Sequence, residues 1–232
     1  SQWLIKVLFR FIIVLPKIAI NPWIQVINNF FFYYFNPALA FLSLGGLILF
    51  WIVRRRLPHI KIIQRVFYMN LWGLIIQSFY LIVAHIWLWS LNSFTKILLP
   101  PYTSWKYALN YSLFRFAWGN CFTIVFALFV IWVMEKMNKK FDERFFYPEE
   151  KWLCALGIIT NPWPRCFVFL ILLLLTFLII QTLNILREWK RNKKVKQERL
   201  SMLYLWLPIS LLSFFISYAI VIYVPVLRDI II

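Results

Sequence analysis

The sequence predicts an all-α fold, a polytopic helical membrane protein with about five transmembrane helices. Three observations carry that reading. Charged residues make up 14% of the chain and hydrophobic residues 63%, against roughly a quarter charged in a soluble domain. The apolar residues gather in five blocks, 30–53, 66–89, 111–134, 166–186 and 204–226, each near the ~20 residues that carry a helix across ~30 Å of hydrocarbon. The blocks are continuous rather than alternating, so helices are expected over a closed barrel, the other structure that satisfies its backbone in lipid. The chain divides into an interfacial segment, 1–29, and a single transmembrane helical domain, 30–232.

The first segment, "QWLIKVLFRFIIVLPKIAINPW", carries Lys6, Arg10 and Lys17. At ~100° per residue these fall within roughly 40° of one another. A basic stripe on an otherwise apolar helix predicts an amphipathic helix lying in the headgroup plane, with a kink at Pro16. The charges run through the apolar part instead of preceding it, unlike a secretory signal. Ser1 stands where an initiator Met is expected, so the chain reads as processed or as starting upstream.

Charge sits in the connections. Residues 54–65, "RRRLPHIKIIQR", hold five bases, among them Arg54, Arg55 and Arg56, and no acid. Residues 90–110 hold only Lys96 and Lys106. Residues 135–151 hold five bases and five acids, and 187–199 hold seven bases, including Lys193 and Lys194, with two acids. Counting Lys and Arg near span ends places the first, third and fourth connections on the inner side and the Pro-Pro connection outside. That meets a parity problem: one crossing between the third and fourth would put the most basic connection outside. The segment between them contains Asn161-Pro162-Trp163-Pro164, and two prolines in three residues break a helix. A Pro-broken segment near 152–164 follows. Residues 152–161 span only about 15 Å as a helix. The alternatives are a hairpin that returns to its own side, or one short leg followed by a true span.

The acids narrow the function classes. Residues 1–134 contain no Asp or Glu, and all eight acids read as lying in connections or near the C-terminus. Proton- and cation-coupled machines place carboxylates at membrane depth, so a self-contained pump or transporter is disfavoured; a carbonyl-lined channel stays open. Two short stretches resemble known families. "SLFRFAWGN" resembles the arginine-bearing helix of the ATP synthase a subunit, but Arg115 precedes Gly119-Asn120 by one residue too many, and about 115 residues follow. "EEKWLCALGIITNPW" is similar to the G-D-x-K stretch of prepilin peptidases, with Glu149 at the catalytic Asp position. Pro148 replaces the preceding Gly, and the second acid is missing, without which a two-carboxylate protease cannot work.

Catalytic and metal constellations are likewise missing. His59 and His85 fall on opposite sides, and Cys121, Cys154 and Cys166 show no ligand spacing. No nucleophile elbow or phosphate loop appears. Gly45-Gly46 and Gly73 suit close helix packing. The net charge of +17 flanks spans, where it sets topology and binds anionic phospholipids; nucleic acid is disfavoured. The aromatic load fits an interfacial belt, although residues 28–41, "NNFFFYYFNPALAF", exceed one and could stack on a pigment, quinone or sterol. Arg115, a turn inside its span, reads as a snorkelling anchor.

The expectation is therefore a non-catalytic multi-pass subunit of a larger membrane complex, with no cofactor beyond bound lipids. Its contacts with lipid or partner subunits would use Lys6, Arg10, Lys17, Arg54, Arg55, Arg56, Arg115, Lys193 and Lys194. A stand-alone channel or transporter, or a membrane enzyme acting on lipid-linked substrates, is the alternative. A bacterial inner membrane or an organelle inner membrane (mitochondrial or plastid) is the expected location.

Overall fold

A computed structural model of the chain describes residues 22–54, 59–141, 146–190 and 205–223, and among them there is no strand. Helix α1 (Pro22–Asn29) runs through a π-helical turn (Phe30–Tyr34) into α2 (Phe35–Arg54). Helix α3 covers Ile60–Leu91. A 3₁₀ turn (Thr95–Leu98) leads to α4 (Trp105–Ser112), which joins α5 (Trp118–Lys140) through a second π-helical turn (Leu113–Ala117). Then follow α6 (Glu150–Thr160), α7 (Cys166–Lys190) and α8 (Trp206–Tyr223).

Four helical segments are long and apolar enough to cross a membrane: Phe35–Val53, Ile60–Leu91, Trp105–Lys140 and Cys166–Arg187. The fifth expected block is helical over Trp206–Tyr223, about 27 Å at 1.5 Å per residue, and falls short of those four. The expected interfacial helix with Lys6, Arg10 and Lys17 lies outside the described residues.

Two spans are longer than their apolar blocks. Lys61 and Arg65 stand on α3, not in a loop, and Glu135 stands near the end of α5. The Pro-Pro connection also narrows, because α4 begins at Trp105. Lys, Arg, Glu and Gln are good helix formers, so these helices continue past their last apolar residue.

Polar pairs fix the register of α2 and α5 against α3. Tyr80 Oη donates to Asn28 Oδ1 at 2.7 Å, Gln77 Nε2 to the Phe31 carbonyl at 2.7 Å, and Ser43 Oγ to Asn70 Oδ1 at 3.4 Å. Residue numbers fall on one strand of this ladder as they rise on the other, so α2 and α3 are antiparallel. Asn120 Nδ2 donates to Ser78 Oγ at 2.9 Å, and Ser112 Oγ meets His85 Nδ1 at 2.9 Å, so α3 and α4–α5 are antiparallel too. Gly73 lets α2 come close, since a Cβ there would collide with Leu39. The core gathers from Leu44 and Leu47 of α2 through Ile63 and Phe67 of α3 to Leu207 and Ile209 of α8.

Candidate functional site

The most enclosed element is also the shortest of the late helices. Helix α6 packs against α2, α3, α5, α7 and α8, and every residue from Leu153 to Thr160 is buried. Its sequence explains why. Cys154, Ala155, Gly157 and Thr160 are small, and small side chains let neighbouring backbones approach without a hydrophobic driving force from water. A Cβ on Gly157 would run into the Phe169 ring and sit 2.7 Å from Ser210 Oγ. Phe169, from the first turn of α7, thus lies against the last turns of α6, and the chain folds back on itself across the break.

The break falls where the two prolines put it, between Thr160 and Cys166. The Trp163 backbone N–H donates to Thr123 Oγ1 at 2.8 Å. Thr123 stands at the middle of the continuous helix Trp105–Lys140, so the non-helical backbone lies at mid-span depth. Irregular backbone survives there only when protein or water satisfies it. Asn161, 1% exposed, does part of this. Its Nδ2 donates to the Gly157 carbonyl at 3.0 Å and reaches the Ser210 carbonyl at 3.4 Å. Thr160 Oγ1 donates to the Leu156 carbonyl at 2.9 Å. With Thr160 Oγ1 at 3.5 Å, three acceptors around Nδ2 fix the orientation of the amide, and Oδ1 has no hydrogen-bond partner among the described residues; neither does Trp206 Nε1. Each such group costs on the order of 1–3 kcal/mol.

The other end of α6 holds a carboxylate that the sequence reading placed in a solvated loop. Glu150 is the first residue of α6 and is 2% exposed. Its Oε2 accepts the Tyr147 N–H at 3.0 Å, and a negative charge at a helix N-terminus is favourable. The signal was present in "YPEEKW": Pro followed by acids is how a helix starts. Trp152 packs on Phe67 with ring centroids 5.4 Å apart, which puts Glu150 near the first turns of α3. Glu135 joins this end through Lys139 at 3.2 Å and Lys151 at 3.3 Å. The middle third of each span is free of carboxylates among the described residues.

Arg115 lies in the π-helical turn (Leu113–Ala117), exposed, about three turns inside the continuous helix that begins at Trp105 rather than one turn from its end. It interacts electrostatically with His85, whose ring stacks on Tyr111 at 5.6 Å and contacts Trp89 and Phe116 at 4.5 and 5.0 Å. His85 is therefore a helix-contact residue in an aromatic cluster. Arg54 is the last residue of α2. Arg55, Arg56, Lys193 and Lys194 of the expected basic cluster lie outside the described residues. Among the described residues no group of three His, Cys, Asp or Glu could hold a metal. Cys154 and Cys166 are buried and Cys121 is exposed. Comparison with family models, with curated proteins and with solved structures finds no match.

Proposed function

We propose that the chain is a non-catalytic subunit of a larger membrane assembly, giving structural support to partners and contacting lipid. One observation carries most weight: the long helices leave most of their apolar surface uncovered. Along the most apolar stretch of α7 only 11% of residues are buried inside the chain, and Leu174, Leu178, Ile179 and Leu183 are each at least half exposed. Lipid covers part of such a surface, and packing against other subunits covers the rest. In this reading α8 completes the set of about five membrane helices, α6 and α7 return to their own side as a hairpin, and the interfacial segment 1–29 lies on the membrane surface through Lys6, Arg10 and Lys17. The basic connections containing Arg54, Arg55, Arg56, Lys193 and Lys194 share the inner side of a bacterial or organelle inner membrane. Arg115 anchors the outer half of its helix.

A second reading is a stand-alone channel or transporter, favoured by the broken segment at mid-span depth, because transporters build substrate sites at discontinuous helices. Gentle detergent extraction followed by native-gel mass analysis separates the two. The subunit reading expects co-migration with other membrane proteins. A lone monomer or homo-oligomer with transport activity in liposomes would sink it.

A further inference from the structure

The geometry points to an anionic phospholipid site on the inner half of α5, formed by Val125, Phe129, Trp132, Lys136 and Lys140. At ~100° per residue these positions lie within about 80° of the helix surface, one continuous stripe. Val125, Phe129 and Trp132 are 66%, 53% and 55% exposed, and both lysines are exposed. The rings of Phe129 and Trp132 stack at 5.9 Å, and Lys136 Nζ stands 4.7 Å over the Trp132 ring.

The order along the helix axis is the order along a phospholipid: apolar, then amphipathic aromatic, then cationic. From Val125 to Lys136 is about 16 Å at 1.5 Å per residue, close to the half-thickness of a ~30 Å hydrocarbon layer. An acyl chain can lie along Val125 and Phe129 while the phosphate reaches Lys136 and Lys140. Trp132 then sits at the depth where indole rings collect. Among the described residues the nearby acid does not spoil the charge. Glu135 falls off the stripe and is engaged by Lys139 and Lys151. The headgroup class follows from the ring face. A choline ammonium would seek the Trp132 face, but Lys136 already occupies it and would repel a second cation. A headgroup with a phosphate and no cation, as in phosphatidylglycerol, meets both lysines without that conflict.

This inference rests on the chain residing in a bilayer, and the test keeps the two apart. The full chain is reconstituted in nanodiscs of phosphatidylcholine with a minority of phosphatidylglycerol. Phospholipid retained after mild detergent release is counted by native mass spectrometry. Alkaline carbonate extraction of the source membranes reports integration separately: a chain released by carbonate would fail the membrane reading itself. Wild type is expected to retain phosphatidylglycerol in preference to phosphatidylcholine. Lys136→Gln is expected to lower that retention about fivefold, and Lys136→Gln with Lys140→Gln about 25-fold, from the worth of one basic residue at an anionic surface. Lys61→Gln, an exposed lysine on α3, is the charge-matched control and leaves retention unchanged. Equal retention of the two lipids, or an equal loss in Lys61→Gln, would overturn the site.

Discussion

Helices α6 and α7 are consecutive in sequence, both apolar, and end in opposite surroundings. Helix α6 is covered on every side, whereas α7 presents long rows of Leu and Ile outward. Hydropathy does not separate them; side-chain size does. Helix α6 alternates large residues with Cys154, Ala155, Gly157 and Thr160, which make room for five neighbouring helices. Helix α7, "CFVFLILLLLTFLII", has almost no small residue after Cys166, and much of its length stays exposed. In a bilayer, where water does not drive helices together, fit decides which apolar segment becomes core.

That contrast makes graded predictions. The largest effect is expected at the contact between the two helices. Phe169→Ala removes a fully buried ring and should cost about 3–5 kcal/mol, read as a shift in unfolding by denaturant in detergent micelles. Leu178→Ala, on the open face of the same helix, should stay within about 0.5 kcal/mol. Equal effects would erase the distinction. Next comes Gly157→Ala, expected to cost about 1–3 kcal/mol by overpacking against Phe169 and Ser210. Gly45→Ala, where a Cβ meets nothing within 4 Å, should be neutral or slightly stabilising from helix propensity. The cost at Gly157 should shrink when Phe169 is replaced by Leu, since the clash belongs to that pair.

Much of this architecture was legible in the sequence. The spans announce themselves because ~20 apolar residues leave no other economical fold in lipid, and the break announces itself through Pro162 and Pro164. The span ends were not legible, because Lys, Arg and Glu flanks read as loop while their backbones stay helical. The buried state of Glu150 was hidden for a different reason. An acid next to Pro148 reads as solvated until the packing of α6 is known. The partner of Trp163, Thr123, is 40 residues away, and no local pattern links a backbone N–H to a distant hydroxyl. The basic residues Lys6, Arg10, Lys17, Arg55, Arg56, Lys193 and Lys194 are plain in the sequence and lie outside the described residues.

The smallest effect is expected at the periphery. Arg115→Lys should change stability by no more than about 0.5 kcal/mol and leave any assembly intact, because lysine snorkels as arginine does. Loss of the native complex in Arg115→Lys, with insertion preserved, would show instead a guanidinium fork paired to an acid, which an ammonium does not replace.

The contrast between α6 and α7 is tested most directly from within the bilayer. A carbene reagent dissolved in the hydrocarbon is activated by light in native membranes, and labelled peptides are mapped by mass spectrometry. The account predicts insertion along α7, at Leu174, Leu178, Ile179 and Leu183, and none between Leu153 and Asn161. If α7 is silent in native membranes but labels once purified into liposomes, a partner subunit covers it. Labelling of α6 as strong as that of α7 would contradict the account, because a helix enclosed by five others cannot meet lipid.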